Sequence, residues 1–183
     1  MTLNPPTVEL EPEDLERLRI DDLTEFVNGH YVEKQMGMES SRVSARVTIR
    51  VGTDVLANNL GELFDAANPC QCFPNDPSKV RKPDASFVAA ARLPGSLVQG
   101  NMKIAPDLAV EVISPNDEYE EVEATVADYR SAGVKLIWIV SPKAKTVLVR
   151  RLDRTCTELD ETGILDGEDV IPGFTCPVAD LFA

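Results

Sequence analysis

The sequence predicts a mixed α/β domain: a central mixed β-sheet flanked by helices, with an added β-hairpin near its N-terminus. Three observations carry this. Asn28-Gly29, set between Phe26-Val27 and Tyr31-Val32, is the dipeptide of a type I′ hairpin turn. Val43, Val47, Val51 and Val55 recur every four residues, which gives a helix one apolar face. Two nearly continuous apolar runs, PDLAVEVIS (106–114) and KLIWIV (135–140), bracket a helical stretch, as buried parallel strands joined by a crossover helix do.

The elements follow in order. Residues 11–20 (EPEDLERLRI) read as a short helix, with Pro12 and acids in its first turn. Residues 24–35 form the hairpin, with His30 an ordinary strand residue just after the turn. Residues 40–60 form the long helix; Glu39 stands ahead of it as a capping residue, and Gly61 supplies the stop. Arg42, Arg46 and Arg50 run beside the valines at the same spacing. One or two short strands are expected in 62–73, a turn at PNDPS (74–78), and strands at 82–89 and 106–114. A helix over 117–132 stops at Gly133. Strands at 135–140, 146–152 and 155–159 follow, and residues 180–183 make a short apolar anchor. No repeat or linker divides the chain: residues 1–19 read as an extension and 20–183 as one domain.

The 183 residues are 43% hydrophobic and 27% charged, enough for a sizeable core. No run is long and apolar enough to cross a membrane, and residues 1–11 lack the basic start and apolar core of a signal peptide, so a cytoplasmic location is expected. Cys70, Cys72, Cys156 and Cys176 include no C-x-x-C pair and no nearby histidine, and are expected as reduced thiols rather than zinc ligands. The net charge of −13 argues against a general nucleic-acid binder. It is unevenly placed: residues 42–103 carry eight basic side chains against five acids, which allows a locally basic cleft on an acidic body.

Two strands open with Pro-Asp, at Asp84 and Asp107, and the second carries Glu111. Side chains alternate along a strand, so Asp107, Ala109, Glu111 and Ile113 share one face. A carboxylate inside a buried strand is costly unless it is paired or binds a cation. If the strands beginning at Asp84 and Asp107 pair, Asp84 and Glu111 converge on one hard cation such as Mg2+ (or Mn2+), which would help water attack a phosphodiester. The plain alternative is a salt bridge to Glu111 from Lys82 or Lys103.

The runs RKPDASFVAA, APDLAVEVISPNDEYEEVE and YRSAGVKLIWIVSPKAKTV, with the hairpin EFVNGHYVE and the ending DVIPGFTCPVADLF, resemble the Uma-type family of restriction endonucleases over residues 20–183. That family is similar to the PD-(D/E)XK nuclease superfamily. The resemblance implies a restriction-endonuclease-like fold with a four-stranded mixed core. It also implies Mg2+-dependent hydrolysis of phosphodiester bonds, with Asp84 as first acid and Glu111 as second. The backbone carbonyl of Val112 is a candidate third metal ligand, Glu39 a further one, and Arg42, Arg46 and Lys82 are candidate DNA contacts. The expected lysine is absent: Ile113 stands two residues after Glu111, and Thr125 stands where the family places a lysine on the following helix, on a face directed at the sheet.

Three readings follow: a weakened relative that keeps metal binding, replacement of the lysine by Lys82 or Lys103, or a site in which the metal suffices. The function expected is a metal-dependent DNA endonuclease, acting as a homodimer if both strands are cut. The alternative is a catalytically degenerate binding or interaction module on the same fold.

Overall fold

The computed structural model describes residues 24–34, 36–95, 100–114 and 117–183. The helix expected at residues 11–20, and the boundary after residue 19, lie outside the described residues. The chain opens with β1 (Thr24–Val27) and β2 (His30–Glu33), paired antiparallel with Val27 opposite His30. Asn28 and Gly29 both take positive φ, 53° and 79°, as the I′ turn requires. Helix α1 (Met38–Asn58) follows, then β3 (Gly61–Asp65), β4 (Ala85–Ala89) and β5 (Leu108–Val112). Helix α2 (Tyr119–Ser131) leads into β6 (Leu136–Ser141), β7 (Thr146–Arg151) and β8 (Cys156–Leu159). A second hairpin, β9 (Ile164–Asp166) and β10 (Thr175–Pro177), precedes a one-turn helix α3 (Ala179–Phe182).

The central sheet has six strands in the order β3-β4-β5-β6-β7-β8. Only β5 and β6 run parallel, joined through α2; the other neighbours are antiparallel. The four-stranded mixed core expected from the resemblance is β3–β6, extended by β7 and β8.

The sheet separates two apolar layers. On one side Val43, Val47, Val51 and Val55 of α1 pack on Phe87, Leu108, Val110, Leu136 and Trp138, with Ile171, Phe174 and Leu181 of the C-terminal segment closing that layer. Each buried valine contributes roughly 1.5–3 kcal/mol. On the other side Val126 and Tyr129 of α2 pack on Ala109, Ile137 and Ile139. Strand β6 is covered on both faces, Trp138 to α1 and Ile137 to α2, which is why its sequence reads as an unbroken apolar run.

Three local expectations are corrected. Helix α1 starts at Met38 after Gly37, which makes no side-chain cap bond; Glu39 is an exposed first-turn acid rather than a cap. The helix is closed by Asn59, whose αL conformation (φ 52°) lets the Leu60 N–H reach the Val55 carbonyl at 3.0 Å. Gly61 serves β3 instead: a Cβ there would lie 2.1 Å from the Val88 carbonyl oxygen across the β3–β4 pair. Gly61→Ala is therefore expected to destabilise the fold near or beyond the upper end of about 1–3 kcal/mol, measurable as a lowered urea midpoint with unchanged slope. The hairpin β9–β10 was not expected, because three-residue strands are too short to show a period.

Of the two Pro-Asp dipeptides, the second is structural. Asp107 is buried, and its carboxylate takes the Ala89 N–H (3.0 Å), Arg92 (2.9 Å) and Lys135 (2.9 Å). Burial alone would raise its pKa, but these three partners outweigh it and hold the carboxyl below its usual range.

Candidate active site

Asp84 stands just before β4, and its N–H donates to the Val110 carbonyl at 2.9 Å. Ala85 pairs with Val110, so the antiparallel register carried one step further puts Asp84 opposite Glu111. Both side chains leave the sheet on the α2 side. Each acid is then fixed by one oxygen. Asp84 Oδ2 accepts the Val112 N–H at 2.6 Å, and Glu111 Oε1 accepts the Tyr129 hydroxyl at 2.6 Å.

The other oxygens meet one cation. Lys34 Nζ lies 3.1 Å from Asp84 Oδ1 and 2.8 Å from Glu111 Oε2, and it also donates to the Lys82 carbonyl at 2.7 Å. Lys34 follows directly on β2, so the N-terminal hairpin delivers it. That hairpin is docked by reciprocal backbone bonds between Phe26 and Val80, at 3.0 and 2.8 Å.

The electrostatics are those of a triad in which Asp84 is buried and Lys34 and Glu111 are partly exposed. Burial raises the pKa of Glu111; the Lys34 ammonium and the Tyr129 hydroxyl oppose this, Asp84 adds to it, and the net is upward. Burial would lower the pKa of Lys34, but Glu111, Asp84 and Glu25 outweigh it and hold the ammonium strongly protonated. The Tyr129 hydroxyl is pushed well above its ordinary value by burial and by Glu111, so it remains a donor.

Beside the triad lies a buried ionic network. Glu25 Oε1 accepts the Lys82 N–H at 2.6 Å and its Oε2 meets Arg81 Nη1 at 2.9 Å. Arg81 also reaches Asp128 Oδ2 through Nε (3.0 Å) and Nη2 (2.7 Å), and Lys79 takes Asp128 Oδ1 at 2.6 Å.

The sequence-predicted residues divide accordingly. Asp84 and Glu111 come together, and Val112 meets Asp84 through its N–H. Lys82 contributes its backbone, and Lys103 Nζ donates to Gln71 Oε1 at 2.7 Å. Thr125 does not take the place expected of it: it is partly exposed, and its hydroxyl bonds the Glu121 carbonyl of its own helix at 3.0 Å. The α2 residue that faces the acids is Tyr129.

Arg42 donates to the Phe182 and Ala183 carbonyls, and Arg50 pairs with Asp180, so this stripe docks the C-terminus. Arg46 lies between them on the same helix, with its Nη1 buried and without a hydrogen-bond partner among the described residues. The expected basic cleft is in large part consumed, since Arg50, Lys79, Arg81 and Arg92 are all paired with acids. His30 is an exposed strand residue. Cys70 and Cys176 are buried, Cys72 is half-buried and Cys156 exposed, all as free thiols.

Lys34, Glu25, Arg81 and Asp128 were missed as site residues. The sequence holds no spacing signal for Lys34, which lies 50 residues from one acid and 77 from the other.

A mixed sheet whose adjacent antiparallel strands present an aspartate and a glutamate to one lysine defines a restriction-endonuclease-like domain. The family described as "Uma2: Putative restriction endonuclease" matches residues 12–179, and the chain belongs to that family. Among solved structures it is similar to a "putative nuclease belonging to DUF820" from Anabaena variabilis ATCC 29413, at 19% identity and a TM-score of 0.81, covering 94% of this chain and 97% of that one. At that identity the likeness establishes the fold. No curated protein matches the sequence. Among the described residues, no helix is long and apolar enough to cross a membrane.

Proposed function

We propose that the protein is a metal-dependent endonuclease that hydrolyses phosphodiester bonds in DNA, with Asp84, Glu111 and Lys34 as its catalytic residues. The observation that carries this is the division of labour between carboxylate oxygens. One oxygen of each acid is anchored, by Val112 or by Tyr129, and the other two converge on a single positive charge.

An all-oxygen donor set of two carboxylates suits Mg2+ or Mn2+, which takes few protein ligands and retains waters. Among the described residues no third His, Cys, Asp or Glu joins them, so the backbone carbonyl of Val112 is the candidate for a third protein ligand. Bound there, the metal would make water a better nucleophile and offset the charge that develops on phosphorus.

The remaining work belongs to the chain. Asp84 and Glu111 present their outward oxygens without rotational freedom. Tyr129 stays protonated and holds Glu111. Lys34 remains charged throughout the neutral range and stabilises the negative charge of the transition state, which supplies the electrostatic help that Thr125 cannot. Lys82 is buried and Arg42 holds the Phe182 and Ala183 carbonyls, so Arg46 is the proposed phosphate contact left of the three, and a homodimer would place two such sites for a double-strand cut.

Incubation of the protein with plasmid and Mg2+ or Mn2+ tests this reading. Nicking or linearisation is expected, abolished by chelator and by Glu111→Ala. A non-catalytic binding module is favoured by the −13 charge and by the internal pairing of the basic side chains. Calorimetric metal binding without cleavage would select that second reading.

A further inference from the structure

Three parts of the chain deliver components of the catalytic centre around β5. The β1–β2 hairpin delivers Lys34, the segment at residues 79–84 delivers Asp84 and the Lys82 carbonyl, and α2 delivers Tyr129. These parts are far apart in sequence. A single buried guanidinium, that of Arg81, touches all three: it sits in the second, meets Glu25 of β1 through Nη1, and meets Asp128 of α2 through Nε and Nη2. Glu25 and Arg81 are 4% and 8% exposed, so neither is a solvated surface charge. Glu25 uses its second oxygen on the Lys82 N–H, next to the carbonyl that holds Lys34. Asp128 immediately precedes the tyrosine that anchors Glu111.

We propose that Arg81, with Glu25 and Asp128, is a positioning clamp that sets the Lys34 ammonium and the Tyr129 hydroxyl against the two catalytic acids. The clamp acts through Lys34 and Tyr129. A planar fork with several fixed donors suits such a junction, because it can hold two carboxylates on different elements at once. Buried ion pairs of this kind add little net stability over apolar packing, which leaves the fixing of geometry as the use that fits them here. The clamp rests on the endonuclease reading in so far as Lys34 acts on substrate.

The test combines amide hydrogen exchange with steady-state cleavage. In Arg81→Met, the amides of Phe26 and Val80, which hydrogen-bond the hairpin to the sheet, are expected to exchange at least about tenfold faster, while those of Leu136 and Ile113 in the sheet stay near wild type. The kcat for plasmid is expected to fall about 10- to 100-fold with KM little changed, because misplacing a catalytic group affects the chemical step more than substrate binding. Arg81→Lys, which keeps the charge but not the fork, is expected to recover part of the loss.

If Arg81→Met does not fold, Glu25→Gln serves: it keeps the size and the acceptor for the Lys82 N–H while removing the charge facing Arg81. Hairpin amides that exchange as in wild type, acceleration spread evenly through β5 and β6, or an unchanged kcat in protein that does cleave would each overturn the clamp. Wild-type protein that cleaves nothing would remove the endonuclease reading alone, and exchange at Phe26 and Val80 would still decide the clamp.

Discussion

Lys34→Met is expected to lower the rate of DNA cleavage about 100- to 1,000-fold, the loss typical of removing one preorganised charge from a transition state. Methionine keeps the length of the side chain and much of its packing, so the hairpin should still dock through the Phe26–Val80 bonds. What disappears is the ammonium between Asp84 and Glu111. Two carboxylates left facing each other should also lower stability in the absence of metal, by about 2–3 kcal/mol, nearer to a charge-assisted hydrogen bond than to a fully buried pair because Lys34 is partly exposed.

That second effect gives a readout independent of activity. A divalent ion would replace the missing charge, so Mg2+ or Mn2+ should raise the melting temperature of Lys34→Met more than that of wild type. Equal shifts in the two proteins, together with full cleavage activity in the variant, would mean that Lys34 is only a surface counter-ion.

Asp84→Asn should abolish cleavage while leaving the fold intact. The geometry separates the two roles of this side chain. Oδ2 accepts the Val112 N–H, and an asparagine oxygen can still do so. The other position would then carry an amide N–H2 group, which presents donors toward Lys34 and cannot ligate a cation. The backbone bond from the Asp84 N–H to Val110 is untouched by the change. Calorimetry should show metal binding lost, and circular dichroism should show native secondary structure. Retained metal affinity would place the ion elsewhere and remove the argument for Asp84 as a ligand. Asp107→Asn is the matched control at the other Pro-Asp: it breaks the pairing with Arg92 and Lys135, so it should cost stability and leave metal binding in place.

Much of the architecture was legible because local chemistry agrees with it. Asn28-Gly29 demands the turn that forms, the four-residue valine repeat buries one face of α1, and the unbroken apolar run of β6 is explained by cover on both faces. The elements that escaped notice are those with little local signature, such as the three-residue strands β9 and β10. Asn59 rather than Gly61 closes α1, because asparagine also tolerates the left-handed conformation and Gly61 is needed for a close approach across β3–β4.

The chain's own residues determined the two acids. A glutamate inside an apolar strand, beside a second strand headed by an aspartate, marks a place where negative charge needs a partner, and strand alternation puts Glu111 on a defined face. The identity of that partner was decided only by the tertiary structure. A long flexible lysine can reach a site from any element that docks nearby, so no spacing rule ties Lys34 to acids 50 and 77 residues away. The family resemblance put Thr125 at the lysine's place and helix periodicity turned it toward the sheet, but the buried stripe of α2 runs through Val126 and Tyr129, and the rotation of a helix about its axis is set by what it packs against.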